Sequence, residues 1–344
     1  MWPAQIDSVA ALDELLSQPS EATIAALRDL PGDIVILGVG GKMGPTLARM
    51  AKRALVLAGP NHHRRRVFGV SRFSSSGLPA QLASWGIEPI QADLLDRAAY
   101  DRLPDAPNVV YMAGMKFGTS GQESLTWAIN THVPALVCER YPDSRIAAFS
   151  TGNVYALQAG RGSSEDDAPA PIGEYAMSCL GRERIFEHHS RTRGTTVAVL
   201  RLNYATELRY GVLVDIAARV LSERPVPLAM GYLNAIWQGD ASAMSLQALA
   251  HAASPPLVLN IAGPEVLSVR AVATEFATRL GTRVTFEGTE GPDALLSDAR
   301  RAYELFGLPR VSTPQLISWI AGWTRLGGES LGKPTHFEER AGRF

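Results

Sequence analysis

Tyr175 and Cys179 stand four residues apart in the stretch YAMSCLGRERIFE, so a helix here puts both on one face. A phenol and a thiol can each move a proton, but not easily near neutral pH. An unperturbed tyrosine ionises near ~10 and is a poor base unless a cation lowers that value. Cysteine brings no such charge. A thiolate near cations is a nucleophile, whereas a cysteine buried on a helix is inert. Arg182 lies on the same face as Tyr175, two turns further on. The chain has four lysines, Lys42, Lys52, Lys116 and Lys333, against 29 arginines. Lys116, in AGMKFG, is the candidate for a positive charge beside Tyr175. The plainer reading of Lys116 is contact with solvent or with a substrate phosphate or carboxylate.

The stretch ILGVGGKMGPTLARMA spaces Gly38, Gly41 and Gly44 as G-x-x-G-x-x-G, with Gly40 extra. Met43 stands where the G-x-G-x-x-G spacing requires glycine. The loop follows an apolar run and opens a helical pattern. In that context one glycine makes the tight turn, one lets backbone approach a pyrophosphate, and one lets helix pack on strand. The helix N-terminus offers free N–H groups and a positive dipole end to phosphates. The next apolar run ends VFGVSRF. Ser71 and Arg72 stand near the place of the acid that holds adenosine ribose hydroxyls in NAD sites, and Arg72 can pair with a 2′-phosphate. Lys42 points the same way, so NADP(H) is favoured over NAD(H). Asp93, in QADLLD, either accepts from an adenine amine or caps the next helix.

The elements that must position these residues alternate. DIVILG, RRVFGVSRF, IEPIQAD, NVVYMAG, SRIAAFST and TTVAVLRLN read as strands separated by helices. That pattern predicts an α/β fold, a parallel sheet with helices on both faces. Pro134 falls inside ESLTWAINTHVPALVCERY, predicting a kink or a first-turn position. Residues 1–31 read as a helical extension, with Val9, Leu12 and Leu16 at helical spacing and Ser20 capping a second helix. Residues 32–203 form the main domain. After Asn203 the rhythm changes: residues 204–326 read mainly as a smaller lobe, some of whose segments can return to the main domain, and 327–344 as an extended or loosely ordered tail.

The net charge is −1, from 33 basic and 34 acidic residues, which gives no electrostatic reason to expect nucleic acid or an anionic membrane. The cluster His62–Arg66 reads as a solvated loop. Cys138 and Cys179 make no disulfide framework, the N-terminus lacks a basic n-region, and no apolar run nears the roughly 20 residues of a membrane span. The expected location is cytoplasmic. The adjacent pairs His62-His63 and His188-His189 lack the spacing of a helical zinc site, and no metal is expected.

Together these stretches resemble the extended short-chain dehydrogenase/reductase family, the NAD(P)-dependent sugar epimerase/dehydratase group, over roughly residues 33–310. LGVGGKMG is similar to its glycine motif, QADLLD to its adenine-contacting motif, and VVYMAGMKFG to its fourth-strand motif, close to the form in UDP-galactose 4-epimerases. WAINTHVPALV resembles the helix whose asparagine, here Asn130, supports the site. FSTGNVYAL resembles the strand carrying the catalytic serine or threonine, here Thr151, and NIAGPEVLSVRAVA a motif of the C-terminal lobe. The resemblance implies a Rossmann-type doubly wound sheet with a small C-terminal α/β substrate lobe. It implies Tyr175 as acid/base toward a substrate hydroxyl or carbonyl, with Thr151 on the same oxygen. It also implies cofactor contacts from Gly38, Gly41, Lys42, Met43, Gly44, Ser71, Arg72, Asp93, Leu94, Ala113, Gly114, Tyr175 and Cys179.

The family pattern is Y-x-x-x-K, and Cys179 stands at the lysine position. That lysine binds the nicotinamide ribose and lowers the tyrosine pKa. A unit charge about 4 Å away is worth ~1 to ~4 kcal/mol, roughly 1–3 pKa units. A chain so poor in lysine would be expected to use arginine at 179 if charge were needed there, so the charge was dispensed with or moved, and Lys116 is where it would have moved. FSTGNVY lacks the Asp-Glu pair of the family's 4,6-dehydratases, which lowers that reading.

Two functions follow. One is an NAD(P)-dependent epimerase or oxidoreductase acting on a sugar or sugar-derived hydroxyl or carbonyl. The other is an NAD(P)-binding sensor or regulatory protein that has lost the chemistry; Cys179 favours it and the retained Thr151 and Tyr175 oppose it. The expected partner is a small molecule, a sugar or sugar derivative, with neither nucleic acid nor membrane. The resemblance also implies a homodimer through the helices containing Asn130 and Tyr175. Trp237, Gln238 and Asp240 are expected at the cleft between lobes, the aromatic equally as packing.

Overall fold

The computed structural model describes residues 2–74, 76–116 and 121–342. Seven strands form the main sheet: β1 (Ile34–Leu37), β2 (Val67–Ser71), β3 (Glu88–Gln91), β4 (Asn108–Tyr111), β5 (Arg145–Thr151), β6 (Thr196–Leu202) and β7 (Leu257–Ile261). Their spatial order is β3-β2-β1-β4-β5-β6-β7, with every neighbouring pair parallel. The order reverses between β1 and β4. At such a switch point a doubly wound sheet opens a crevice beyond the carboxyl ends of its strands.

Side chains of successive strand residues point to opposite faces, so the apolar run of β1 feeds two cores. Ile34 and Ile36 pack with Leu47, Met50 and Ala51 of helix α3 (Gly44–Leu57). Helices α1 (Val9–Leu16) and α2 (Glu21–Asp29) precede α3, and α4 (Leu78–Ser84) follows it. Val35 and Leu37 face the other way, into a core shared with α6 (Val133–Arg140) and α7 (Gly173–Arg193). All four residues of β1 are buried, as a strand covered on both faces requires. A third core belongs to the smaller lobe, built on α8 (Val212–Leu221), α10 (Val269–Leu280) and α12 (Thr313–Arg325). Between them, α9 (Gln238–Gln247) packs with the main domain, and α11 (Arg300–Phe306) lies beside β7.

Pro134 does more than kink its helix. α5 (Glu123–Trp127) and α6 are joined by a π turn over Ala128–His132, where the Val133 N–H reaches back to the Ala128 carbonyl. A proline ring collides with the carbonyl four residues earlier, which here is Asn130, and widening the turn relieves the clash. The one residue singled out on this helix therefore sits in its irregular turn.

The extension packs on this chain. Ser20 accepts from Thr23 N at 3.0 Å to cap α2, Leu12 and Leu16 enter the smaller lobe's core, and Leu27 enters the main one. β7 comes from beyond residue 204 yet pairs with β6, from Leu257 opposite Ala198 to Ile261 opposite Leu202. TRVTFEG yields only a two-residue strand, Phe286–Glu287, paired with Val226–Pro227. The tail, expected to be extended or loosely ordered, has no helix or strand between residues 327 and 342 but is pinned. Phe337 is buried, Thr335 binds Asp215, and Arg340 pairs with Asp293. Apolar burial and ion pairs hold it where backbone ladders do not. No helix among the described residues is long and apolar enough to cross a membrane.

Candidate active site

A cavity of about 990 Å³ opens at the switch point, and the glycine loop forms one side of it. Each glycine has its own reason. Gly38 has φ +93°, and a Cβ there would lie 2.5 Å from Ala113 N. A Cβ on Gly44 would lie 2.2 Å from the Val39 carbonyl, so this glycine lets α3 start against the loop. Gly41 is exposed in the cavity wall, and a Cβ there would meet only the Gly38 oxygen, at 3.5 Å. It leaves bare backbone facing open space, as an approaching pyrophosphate requires. Met43 and Lys42 line the same wall. Ser71 and Arg72 lie at and just beyond the end of β2, with Arg72 exposed at the cavity edge. Asp93 and Leu94 follow β3. The Asp93 carboxylate accepts from Leu95 N at 3.0 Å within the loop, and it is Asp96, not Asp93, that caps the next helical turn, Arg97–Arg102. Ala113 and Gly114 line the cavity beyond β4. Open glycine backbone, a helix N-terminus and an exposed arginine fit a dinucleotide.

Lys42 turns away from that edge. Its ammonium lies over the Tyr210 ring, 3.2 Å from the centroid, and the charges that act on it are Lys116, Lys333 and Asp215.

The opposite side holds Tyr175, Thr151, Asn130 and Lys116. Thr151 ends β5, and its hydroxyl oxygen accepts from Asn153 N (3.2 Å) and Asn153 Nδ2 (2.9 Å). Tyr175, in the first turn of α7, stands close enough to Thr151 and Cys179 for both to act on its ionisation. Asn130 is fully buried and fully used. Its Oδ1 accepts from Met115 N (3.1 Å) and Arg182 Nη2 (2.5 Å), and its Nδ2 donates to Met115 O (3.1 Å) and Ser178 Oγ (2.9 Å). It ties the loop after β4 to α7. Lys116 Nζ lies 5.6 Å from the Tyr175 ring centroid. Phe117 and Gly118, which end the AGMKFG stretch, lie outside the described residues.

Cys179 is fully buried against Val154 and Tyr155, does not line the cavity, and has its pKa raised by burial. It reads as an inert thiol. Burial also lifts Tyr175 well above the ordinary phenol value, with Cys179 adding to the rise; Arg182 and the Thr151 hydrogen bond oppose it. Burial depresses Lys116 to about 8.

Spacing alone undervalued Arg182, two turns from Tyr175. Its side chain runs inward, donating Nη1 to the Phe149 carbonyl (2.8 Å) and Nη2 to Asn130. A Cβ on Gly114 would meet Nη2 at 2.5 Å, so the glycine makes room for the guanidinium. Beneath Thr151, Glu183 binds Arg201 (2.7 Å) and Ser150 (2.5 Å), and Arg201 binds the Tyr155 hydroxyl (2.7 Å). The signal for that network was an arginine inside an otherwise apolar strand. Of the NAIWQGD residues only Gln238 lines the cavity. Trp237 packs against Trp319, 5.4 Å between centroids, and Asp240 pairs with Arg310 at 3.0 Å. Among the described residues no cluster of His, Cys, Asp and Glu could hold a metal ion.

No curated protein matches this sequence. Solved structures resemble it over most of their length. A UDP-glucose 4-epimerase from Thermotoga maritima, solved with UDP-glucose, is 18% identical with a TM-score of 0.71, covering 85% of this chain and 98% of its own. The dTDP-glucose 4,6-dehydratase DesIV from Streptomyces venezuelae, as a double mutant with NAD bound, is 18% identical at TM-score 0.71, covering 85% and 96%. A UDP-glucuronic acid 4-epimerase from Bacillus cereus in complex with NAD is 19% identical at TM-score 0.70, covering 86% and 98%. At such identities the likeness is one of fold. The family model described as "NAD dependent epimerase/dehydratase family" matches residues 34–229, more than half of the chain. With this match added to the Rossmann-type sheet and the glycine loop at its switch point, the chain belongs to the NAD-dependent epimerase/dehydratase family.

Proposed function

We propose that this protein is an NAD(P)-dependent epimerase or oxidoreductase acting on a sugar or sugar-derived hydroxyl or carbonyl, with Tyr175 as the acid/base. The observation that carries the reading is the placement of Tyr175 beside Thr151 in the wall of the cavity that the glycine loop also lines. A sensor has no need of that pair. The UDP-glucose bound by the Thermotoga maritima neighbour supports a sugar-derived substrate.

A nicotinamide cofactor, when bound, supplies hydride acceptance and donation. Gly38, Gly41, Met43, Gly44, Ser71, Arg72, Asp93, Leu94, Ala113 and Gly114 would hold it, and Arg72 supports NADP(H) over NAD(H). Tyr175, kept protonated by burial, gives its proton to a substrate oxygen, and Thr151 hydrogen-bonds the same atom. Arg182 holds a fixed positive charge under the tyrosine and favours the phenolate left behind. Lys116 adds a second charge from the cavity side. Asn130 positions both the Met115 backbone and Arg182. Cys179 contributes packing and no charge. Exposed Leu125 and Trp127 on α5, with Ile172 and Met177 at the start of α7, support a homodimer through these helices.

The test is calorimetric titration of the purified protein with NADP(H) and NAD(H), then a sugar screen with Tyr175→Phe as control. We expect NADP(H) to bind more tightly, and the variant to lose at least ~100-fold in turnover while binding cofactor as well as the wild type. Cofactor binding without turnover on any sugar would favour the sensor reading. No cofactor binding would sink both.

A further inference from the structure

Three of the four lysines in this chain line one cavity. They come from distant segments: Lys42 from the glycine loop, Lys116 from the loop after β4, and Lys333 from the tail. Among the described residues the cavity wall carries six cationic side chains, Lys42, Arg72, Lys116, Arg182, Lys333 and Arg209, and two carboxylates, Asp13 and Asp93. The whole chain has a net charge of −1, so this surplus is local. Asp13 is moreover engaged by Arg209 at 3.0 Å.

Lys42 lies within the field of both other lysines. The Tyr210 ring lies under the Lys42 ammonium. Asp215 accepts from Thr335 N (2.7 Å) and Oγ1 (2.5 Å), anchoring the tail two residues beyond Lys333. Lys116 and Lys333 are close enough for both to depress Lys42, whose pKa burial first and then these like charges bring down to about 7. Gathering like charges in a cleft opposes their ionised state, and a bound anion reverses that opposition. Lysine also suits a small anion, since its ammonium is a compact point charge with three rotatable donors.

We propose that Lys42, Lys116 and Lys333 form a subsite for an anionic group, a phosphate or carboxylate, carried on the sugar ring of the substrate near the reacting carbon. The position follows from Lys116, whose Nζ is 5.6 Å from the Tyr175 ring centroid. The proposal rests on the reading of the cavity as a sugar site and deepens it by naming the substrate class.

The test uses the full chain saturated with its cofactor, which keeps inorganic phosphate off the glycine loop. Phosphate is titrated by calorimetry at constant ionic strength. We expect saturable binding that Lys333→Ala weakens at least ~5-fold, about 1 kcal/mol, that Lys333→Arg largely restores, and that Lys52→Ala, outside the cavity, leaves unchanged. Absence of saturable binding, or equal binding by Lys333→Ala, overturns the subsite. Uridine diphosphate binding more than ~10-fold tighter than phosphate, with the same dependence on Lys333, assigns the lysines to a nucleotide's diphosphate and overturns their placement on the sugar ring. Failure of the cofactor itself to bind is a separate result, and it defeats the functional reading instead.

Discussion

The glycine-loop side of the cavity and the tyrosine side are built by different means. The first uses short loops directly after β1, β2 and β3, and much of its wall is bare backbone or exposed side chain, as at Gly41 and Arg72. The second gathers buried side chains from a π turn, the end of β5, the helix α7 and the loop after β4. One side depends on what is left out, a Cβ; the other depends on hydrogen bonds such as those of Asn130 and Arg182 that must all be made together. Changes at the open positions of the first side, Gly41 and Arg72, should therefore weaken cofactor binding alone, whereas changes on the second should cost stability and turnover together.

The largest effect is expected at Arg182. Arg182→Met leaves the Asn130 and Phe149 oxygens without this donor and removes the charge that opposes Tyr175's rise. We expect a loss of about 2–3 kcal/mol in urea unfolding and ~100-fold in turnover; normal stability and turnover would erase the contrast between the two sides. Next comes Gly41→Val, which fills the open wall and whose Cβ meets backbone only at the Gly38 oxygen, at an ordinary 3.5 Å. Cofactor affinity should fall at least ~30-fold, about 2 kcal/mol, with an unchanged melting temperature, and a melting loss would show that this side too is structural. Arg72→Ala should weaken NADP(H) ~10-fold, about 1.4 kcal/mol, and NAD(H) less, as read by the same calorimetry. The smallest effect is in pH. Burial brings Lys42 to about 7 and Lys116 to about 8, so their charge is complete below those values and lost as pH rises through them. Sulfate, whose own charge is constant, should bind about threefold more weakly at pH 9 than at pH 6.5; stronger binding at pH 9 would contradict the sign.

What the sequence made legible follows the same division. β1, β2, β4, β5 and β6 are stated by apolar runs, and Gly38, Gly41 and Gly44 by their spacing, because those constraints act within a few residues. Residue spacing placed Arg182 two turns from Tyr175, which is correct along the helix, but said nothing of the inward path that Gly114 opens. Spacing pairs Lys42 with Arg72 because both lie near phosphate-binding loops; the Tyr210 ring over which its ammonium lies is 168 residues further along the chain. β7 and the tail were hard to place for the same reason. Their positions depend on partners such as Ala198, Asp215 and Asp293, which no local pattern names.

The enclosure of Cys179 bears on the order in which this arrangement could change. Position 179 has no solvent and lies within the field of both Arg182 and Lys116. A lysine introduced there alone would add an ammonium to a pocket already supplied with a guanidinium, and burying an unmatched charge is costly. The same lysine introduced together with loss of Arg182 would replace one buried positive charge by another instead of adding to it. The two positions are thus epistatic: the Y-x-x-x-K pattern is separated from this chain by a double step whose single intermediates are both disfavoured, and its effects on stability should be strongly non-additive.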